Sequence, residues 1–153
     1  MSSIAIVSAS DEDRAWAAAV MAGSEPWLTL GRGREHCLQV CGDPAYDVFV
    51  ATENVARCGV LVLQRRGVAG SPYIVSLAVA PERRGRGIGG RLLEFAEDTA
   101  RAHAAHLFLC VSSFNPRARR FYERHGFVAV GELPDYVVRG ASELLMHKRL
   151  RAA

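Results

Sequence analysis

The run Arg83-Arg84-Gly85-Arg86-Gly87-Ile88-Gly89-Gly90 packs glycines and arginines between a valine-rich stretch ending at Val79 and an amphipathic stretch beginning near residue 88. Glycine lets the backbone turn tightly and come close to a ligand with no Cβ in the way. The free N–H groups at the start of the helix that follows then face an anion, and Arg84 and Arg86 strengthen the field. A pyrophosphate suits this arrangement. Two other phosphate patterns fit less well. Gly85, Gly87 and Gly90 satisfy GxGxxG, but the turn comes after four strands, whereas a dinucleotide fold places it after its first. The P-loop pattern fails because no Gly-Lys-Ser/Thr follows. A plainer reading keeps the glycines as a tight strand-to-helix connection and the arginines as solvated charges.

A second informative stretch, Asn115-Pro-Arg-Ala-Arg-Arg-Phe-Tyr-Glu-Arg-His-Gly-Phe127, follows one short apolar segment later. Asparagine before proline signals a helix start, with the side chain as cap and proline at the first helical position. Tyr122 carries a phenol whose ordinary pKa near 10 keeps it protonated at neutral pH, so it can donate a proton to a leaving group. Packing against a sheet is the other use for Phe121 and Tyr122, the phenol tip then needing a polar partner. Arg117, Arg120 and Arg124 recur near helical spacing and read as a solvated helix face.

Positioning these residues requires a layered fold. Ile4–Val7 reads as a first strand, and Ser10 or Asp11 caps a helix from about 12 to 22. Residues 24–33 read as a loop into a second helix near 34–41. The periodicity then changes: 47–52 and 59–66 look like adjacent antiparallel strands, and 67–72 is a turn. Tyr73–Ala80 is a central strand stopped by Pro81; alternation puts Tyr73, Val75, Leu77 and Val79 on one face and Ile74, Ser76 and Ala78 on the other. A helix over 87–103, a strand over 107–111, a helix over 116–125 and strands over 127–130 and 143–147 complete the order β-α-α-β-β-β-α-β-α-β-β. This is an α/β (α+β) mixed sheet with helices packed on it, expected to span 1–153 as one domain.

Composition bounds the function. A chain of 153 residues, half of them apolar, can bury a sizeable core. Its 19 basic residues against 16 acids give +3, and Lys148 is the sole lysine, so arginine forks suited to phosphate or carboxylate carry the charge. That excess suits a local anion site; no nucleic-acid partner is expected. No run of about 18 uncharged apolar residues occurs, so no membrane span is expected. The opening MSSIAIVSASDEDRAW has acids where a signal peptide would be basic, which points to a cytoplasmic location. Cys37, Cys41, Cys58 and Cys110 form no CxxC pair and read as free thiols, with no metal site expected.

Arg84-Gly-Arg-Gly-Ile-Gly resembles the acyl-CoA pyrophosphate motif Q/R-x-x-G-x-G/A of the GCN5-related N-acetyltransferases (GNAT), with Arg84, Gly87 and Gly89 at its specified positions. The Asn115 stretch resembles that family's second motif, and the likeness covers about residues 45–150. It implies the acyl-CoA N-acyltransferase fold, with acetyl-CoA wedged between the strands at 73–80 and 107–111. The pantetheine would bond the backbone around Leu77 and Val79, and the pyrophosphate would meet the amides of Arg84, Gly85, Arg86, Gly87, Ile88 and Gly89. Asn115 would lie by the pantetheine arm. Tyr122 stands at the family's proton-donating tyrosine.

Around Leu109–Phe127 the chain also partly resembles ribosomal-protein N-terminal acetyltransferases, which carry a glutamate on the strand before the asparagine motif. Cys110 stands there instead, so the base must come from elsewhere; Glu53, Glu82 and Asp135 are the alternatives. A lysine amine of pKa about 10.4 is roughly 0.04% neutral at pH 7, costing about 4.6 kcal/mol, against about 1 kcal/mol for an α-amine. A weak base therefore favours a protein N-terminus or another amine of low pKa, small molecules included. Direct transfer in a ternary complex is implied; a non-catalytic acyl-CoA-binding sensor or interaction module is the competing reading. The acceptor site is expected between the N-terminal helices and residues 133–140, with Trp27 and Tyr136 as lining residues or loop anchors. Edge strands near the termini could pair in a homodimer.

Overall fold

The computed structural model describes residues 3–151. Seven strands, β1 (Ile4–Ser8), β2 (Tyr46–Glu53), β3 (Ala56–Val68), β4 (Ser71–Val79), β5 (His106–Ser112), β6 (Val128–Pro134) and β7 (Ser142–Arg149), form one mixed sheet. Their order across it is β1-β2-β3-β4-β5-β7-β6. All neighbours run antiparallel except β4 and β5.

Five helices cover the two faces: α1 (Asp11–Ala22), α2 (Trp27–Leu30), α3 (Arg34–Gly42), α4 (Ile88–Arg101) and α5 (Pro116–Arg124). Ser10 and Asp13 close α1 with a capping box, Asp13 N–H donating to Ser10 Oγ at 3.2 Å and Ser10 N–H to Asp13 Oδ2 at 2.9 Å. On that face Ala17, Ala18, Met21, Cys37 and Cys41 pack on Val48, Val60, Val62 and Ala78. On the other, Ile88, Leu92, Leu93, Ala96 and Ala100 of α4 pack on Leu61, Leu63, Ile74, Leu107 and Leu109. Lys148 at the end of β7 bonds Glu97 of α4 at 2.5 Å, a mostly buried pair that ties helix to sheet. No helix among the described residues is long and apolar enough to cross a membrane.

The element order expected from the sequence is present, with additions. The 24–33 segment contains the one-turn helix α2, which leaves Trp27 8% exposed, and Pro81–Arg83 forms a 3-10 turn. β3 and β6 extend beyond 59–66 and 127–130 because each finds a partner along its length. The face assignment in β4 needs correction. Val62 pairs with Ser76 but Leu63 with Ile74, so Val75 is the extra residue of a β-bulge. Below the bulge, parity flips: Ile74 joins the α4 core with Leu77 and Val79, while Val75 joins Ala78 on the α1–α3 side.

Candidate active site

β4 and β5 pair only at Tyr73↔Phe108 and Ile74↔Leu109, then diverge from just where the bulge sits. The gap is the floor of a groove of about 980 Å³. Ala80 N–H donates to the Cys58 carbonyl on β3 at 2.9 Å. Alternation along an extended chain therefore turns the N–H and C=O groups of Leu77 and Val79 the other way, into the gap, where no strand pairs with them among the described residues. The Val79 carbonyl accepts from Arg84 Nε at 3.2 Å, as that direction requires. The free edge is what an amide-bearing chain such as pantetheine would need.

The glycine turn closes one end. Gly85 and Gly87 have φ of +79° and +80°, conformations that favour glycine, and a Cβ on either would meet nothing within 4 Å. Gly87 caps α4 with no side chain, and the first turn of α4 carries no acid. The leading N–H groups of α4 thus face the groove mouth without an acceptor of their own, and the residues present fit a pyrophosphate. Gly89 sits under the Phe121 ring, 3.4 Å from where its Cβ would be, so α5 can approach α4 closely.

The arginines beside the turn are braced. Buried Glu53 accepts from Arg83 Nη1 at 2.8 Å and Arg86 Nη1 at 3.4 Å. Arg84 reaches back to Val79 and, through Nη2 at 3.2 Å, to Ser24 Oγ. These pairs hold the loop's shape and leave the helix N–H groups as its open donors.

α5 brings Asn115 and Tyr122 to the groove. Asn115 Oδ1 accepts from Ala118 N–H at 3.3 Å, the cap its sequence predicts. Tyr122 packs edge-on to Phe121 and Phe127, with ring centroids 5.2 and 6.0 Å away. Its hydroxyl has no hydrogen-bond partner among the described residues and is not sealed from the groove. Burial pushes its pKa up to about 12, so the proton stays on the oxygen across the physiological range.

None of the three carboxylates considered as a base lies in the groove. Glu53 serves the arginines, Glu82 is exposed on the 3-10 turn, and Asp135 Oδ1 accepts from Gly140 N–H in the β6–β7 connection. Trp27 lines the groove; Tyr136, 67% exposed, is not part of its lining but lies near enough to the groove-lining Tyr73 phenol to act on it, and β5 and β7 contribute lining residues beside it. Two carboxylates do line the groove, and the sequence reading singled out neither: Glu25, whose oxygens accept from Thr29 N–H at 2.8 Å and Thr29 Oγ1 at 2.5 Å, and Glu143. Glu143 stands opposite Ser112 in the β5–β7 register and accepts from Ser112 Oγ at 2.7 Å. Tyr73 and Cys110 lie beside it. Burial raises the Cys110 thiol, Glu143 raises it further, and a bond from the Tyr73 hydroxyl opposes them, so Cys110 is no ready nucleophile. The only sequence signal for Glu143 is an acid among apolar strand residues.

The family profile described as Acetyltransferase (GNAT) family matches residues 12–127. An uncharacterized N-acetyltransferase of Methanocaldococcus jannaschii is 40% identical over 82 residues, covering 52% of this chain and 53% of that one. N-alpha-acetyltransferase 30 of Schizosaccharomyces pombe is 32% identical over 96 residues, 60% of this chain and 64% of that protein. The chain thus spans about half the length of the curated relatives it matches. The crystal structure of the ribosomal-protein-S18-alanine N-acetyltransferase from Escherichia coli superposes with a TM-score of 0.77 at 23% identity, over 99% of this chain and 96% of that one, a likeness of fold. Profile, strand opening and glycine turn agree: the chain belongs to the GNAT acetyltransferase family.

Proposed function

We propose that the protein is an acetyl-CoA-dependent N-acetyltransferase that acetylates a primary amine by direct attack in a ternary complex. The observation that carries this reading is the open edge of β4 at Leu77 and Val79, with a glycine turn at one end and the Tyr122 hydroxyl in the same groove. Acetyl-CoA supplies, when bound, a thioester carbonyl open to attack and a sulfur able to leave. Gly85, Arg86, Gly87, Ile88 and Gly89 hold its pyrophosphate through their backbone N–H groups; Arg84, expected to join them, donates its own N–H to the Pro81 carbonyl at 3.4 Å and so shapes the turn instead. Leu77 and Val79 bond the pantetheine amides, and Asn115, whose Oδ1 is used by the cap, has its amide N–H₂ left for the same arm. Tyr122 Oη keeps a proton that it gives to the departing sulfur.

For the acceptor, the likeness to N-alpha-acetyltransferase 30 favours a protein N-terminal α-amine over a small-molecule amine. The smaller cost of neutralising an α-amine points the same way.

Thiol release from acetyl-CoA, measured against short peptides, polyamines, amino acids and aminoglycosides, tests the reading. One active acceptor class is expected, and Tyr122→Phe should cut kcat by 10²–10⁴-fold, a typical loss for a general acid, while acetyl-CoA affinity stays within about threefold. Acetyl-CoA binding with no thiol released for any acceptor would replace this reading with that of a non-catalytic acyl-CoA-binding module.

A further inference from the structure

Three buried glutamates occupy this fold, and two have cations. Glu53 pairs with Arg83 and Arg86, and Glu97 with Lys148. Glu143, 9% exposed, has none among the described residues. Ser112 Oγ donates to its Oε2, which leaves Oε1 without a protein partner and unsealed from the groove. A carboxylate taken so far out of water is normally paired. Its surroundings supply only neutral groups, the Tyr73 hydroxyl and the Cys110 thiol, whose titrations it perturbs from close by.

The missing countercharge points outward. β5 and β7 are paired with Ser112 opposite Glu143 and Cys110 opposite Leu145, so the carboxylate enters the groove one strand away from Cys110 and two positions along the register. Tyr122 opens on the same groove from α5.

We propose that Glu143, oriented by Ser112, binds the ammonium group of a primary-amine acceptor and takes its proton. The inference rests on the N-acetyltransferase reading above. Two protons leave the nitrogen as the C–N bond forms and the C–S bond breaks. The first passes to Glu143 and on to solvent; the second, through water, replaces the one that Tyr122 Oη gives to the sulfur. A carboxylate on β7 thereby does the work that Cys110 on β5 has no group to do. It also sets the acceptor class: amines that arrive protonated, whether peptide α-amines or polyamines, in preference to hydroxyl acceptors, which bring no charge.

Glu143→Gln keeps the size of the side chain and an oxygen for Ser112. In the full chain, thiol release with the active acceptor should fall at least 100-fold in kcat/KM, with acetyl-CoA affinity within threefold of the parent. Glu143→Asp should recover at least tenfold of that loss. Calorimetry of spermidine and of a short peptide with a free α-amine, each titrated into CoA-loaded protein, should show at least tenfold weaker binding in Glu143→Gln for the amine used. Turnover and amine binding within threefold of the parent would overturn the role of Glu143 alone. A parent that binds amines through Glu143 but releases no thiol would overturn the transferase reading and, with it, the proton-transfer half of this one. Should Glu143→Gln unfold, Ser112→Ala removes only the orienting hydroxyl and should cost about tenfold in kcat/KM; no change there overturns the proposal.

Discussion

Gly59→Ala tests whether the sheet sets the height of the pyrophosphate turn. Gly59 lies on β3 between Ala51 and Val79, under the first turns of α4. A Cβ there would stand 2.8 Å from Leu92 Cδ1, 3.2 Å from Ile88 Cγ2 and 3.3 Å from the Ala78 carbonyl. The Leu92 approach is about 0.6 Å short of the 3.4 Å at which ordinary contact begins. Leu92 is fully buried and Ile88 nearly so, and neither can swing into solvent. α4 must therefore lift at its N-terminal end. Overpacking of one methyl costs about 1–3 kcal/mol, and the reduced freedom of the unfolded chain returns about 0.4–1 kcal/mol. The net loss is at most about 2.6 kcal/mol, which corresponds to a fall of up to roughly 10 °C in Tm for a chain of this size. Because the lifted end carries the N–H donors, acetyl-CoA affinity should drop about 3–10-fold in parallel, for a loss of about 0.6–1.4 kcal/mol. Thermal unfolding and calorimetric titration read the two effects. A Tm above that of the parent would refute the packing argument; a lower Tm with unchanged affinity would refute the link between the helix seat and the ligand.

Gly87→Ala meets no steric obstacle but forces a Cβ at φ +80°, so it should lower stability by about 1–2 kcal/mol and weaken acetyl-CoA binding; unchanged melting would show that the left-handed cap is dispensable. Asp13 is held below its ordinary pKa first by the Ser10 backbone N–H and then by Arg57. A depressed carboxylate stabilises the fold above its unfolded-state pKa, and that contribution is lost as pH falls through the folded-state value. Asp13→Asn should therefore destabilise by about 0.5–2 kcal/mol at pH 7, with the gap to the parent closing toward acid pH in melting curves. A gap that stays constant with pH would exclude a charge-dependent cap.

The glycine turn and the Asn115 cap were legible in the sequence because both are local: their chemistry is decided within about one helical turn of chain. Tyr122 was legible by its place in the same stretch. β4 shows why legibility stops. Strict alternation assigned Ile74 to the Ser76–Ala78 face, but one extra residue at Val75 reverses parity, and nothing in a run of apolar residues marks where a bulge falls. That bulge coincides with the parting of β4 from β5, so the feature that opens the groove is the one the pattern conceals. Glu143 was missed for another reason. It reaches Ser112 from 31 residues away through a strand register that only the folded sheet fixes. Glu53, Glu82 and Asp135 drew attention as acids in turns, and two of them do lie on exposed connections, while the third had been claimed by arginines.

The Glu97–Lys148 pair bears on the protein's own exposure to acetylation. Lys148 is the only lysine in the chain, and its amine is tied to a buried carboxylate against the Phe127 ring. Every other basic side chain apart from histidine is arginine, whose guanidinium is a poor nucleophile at neutral pH. The chain therefore offers almost no side-chain amine to an acetyl donor held in its groove or free in solution. Its surface charge is carried almost wholly by groups that do not take an acetyl, and a lysine-directed label meets one side chain only, Lys148, whose amine is held by Glu97.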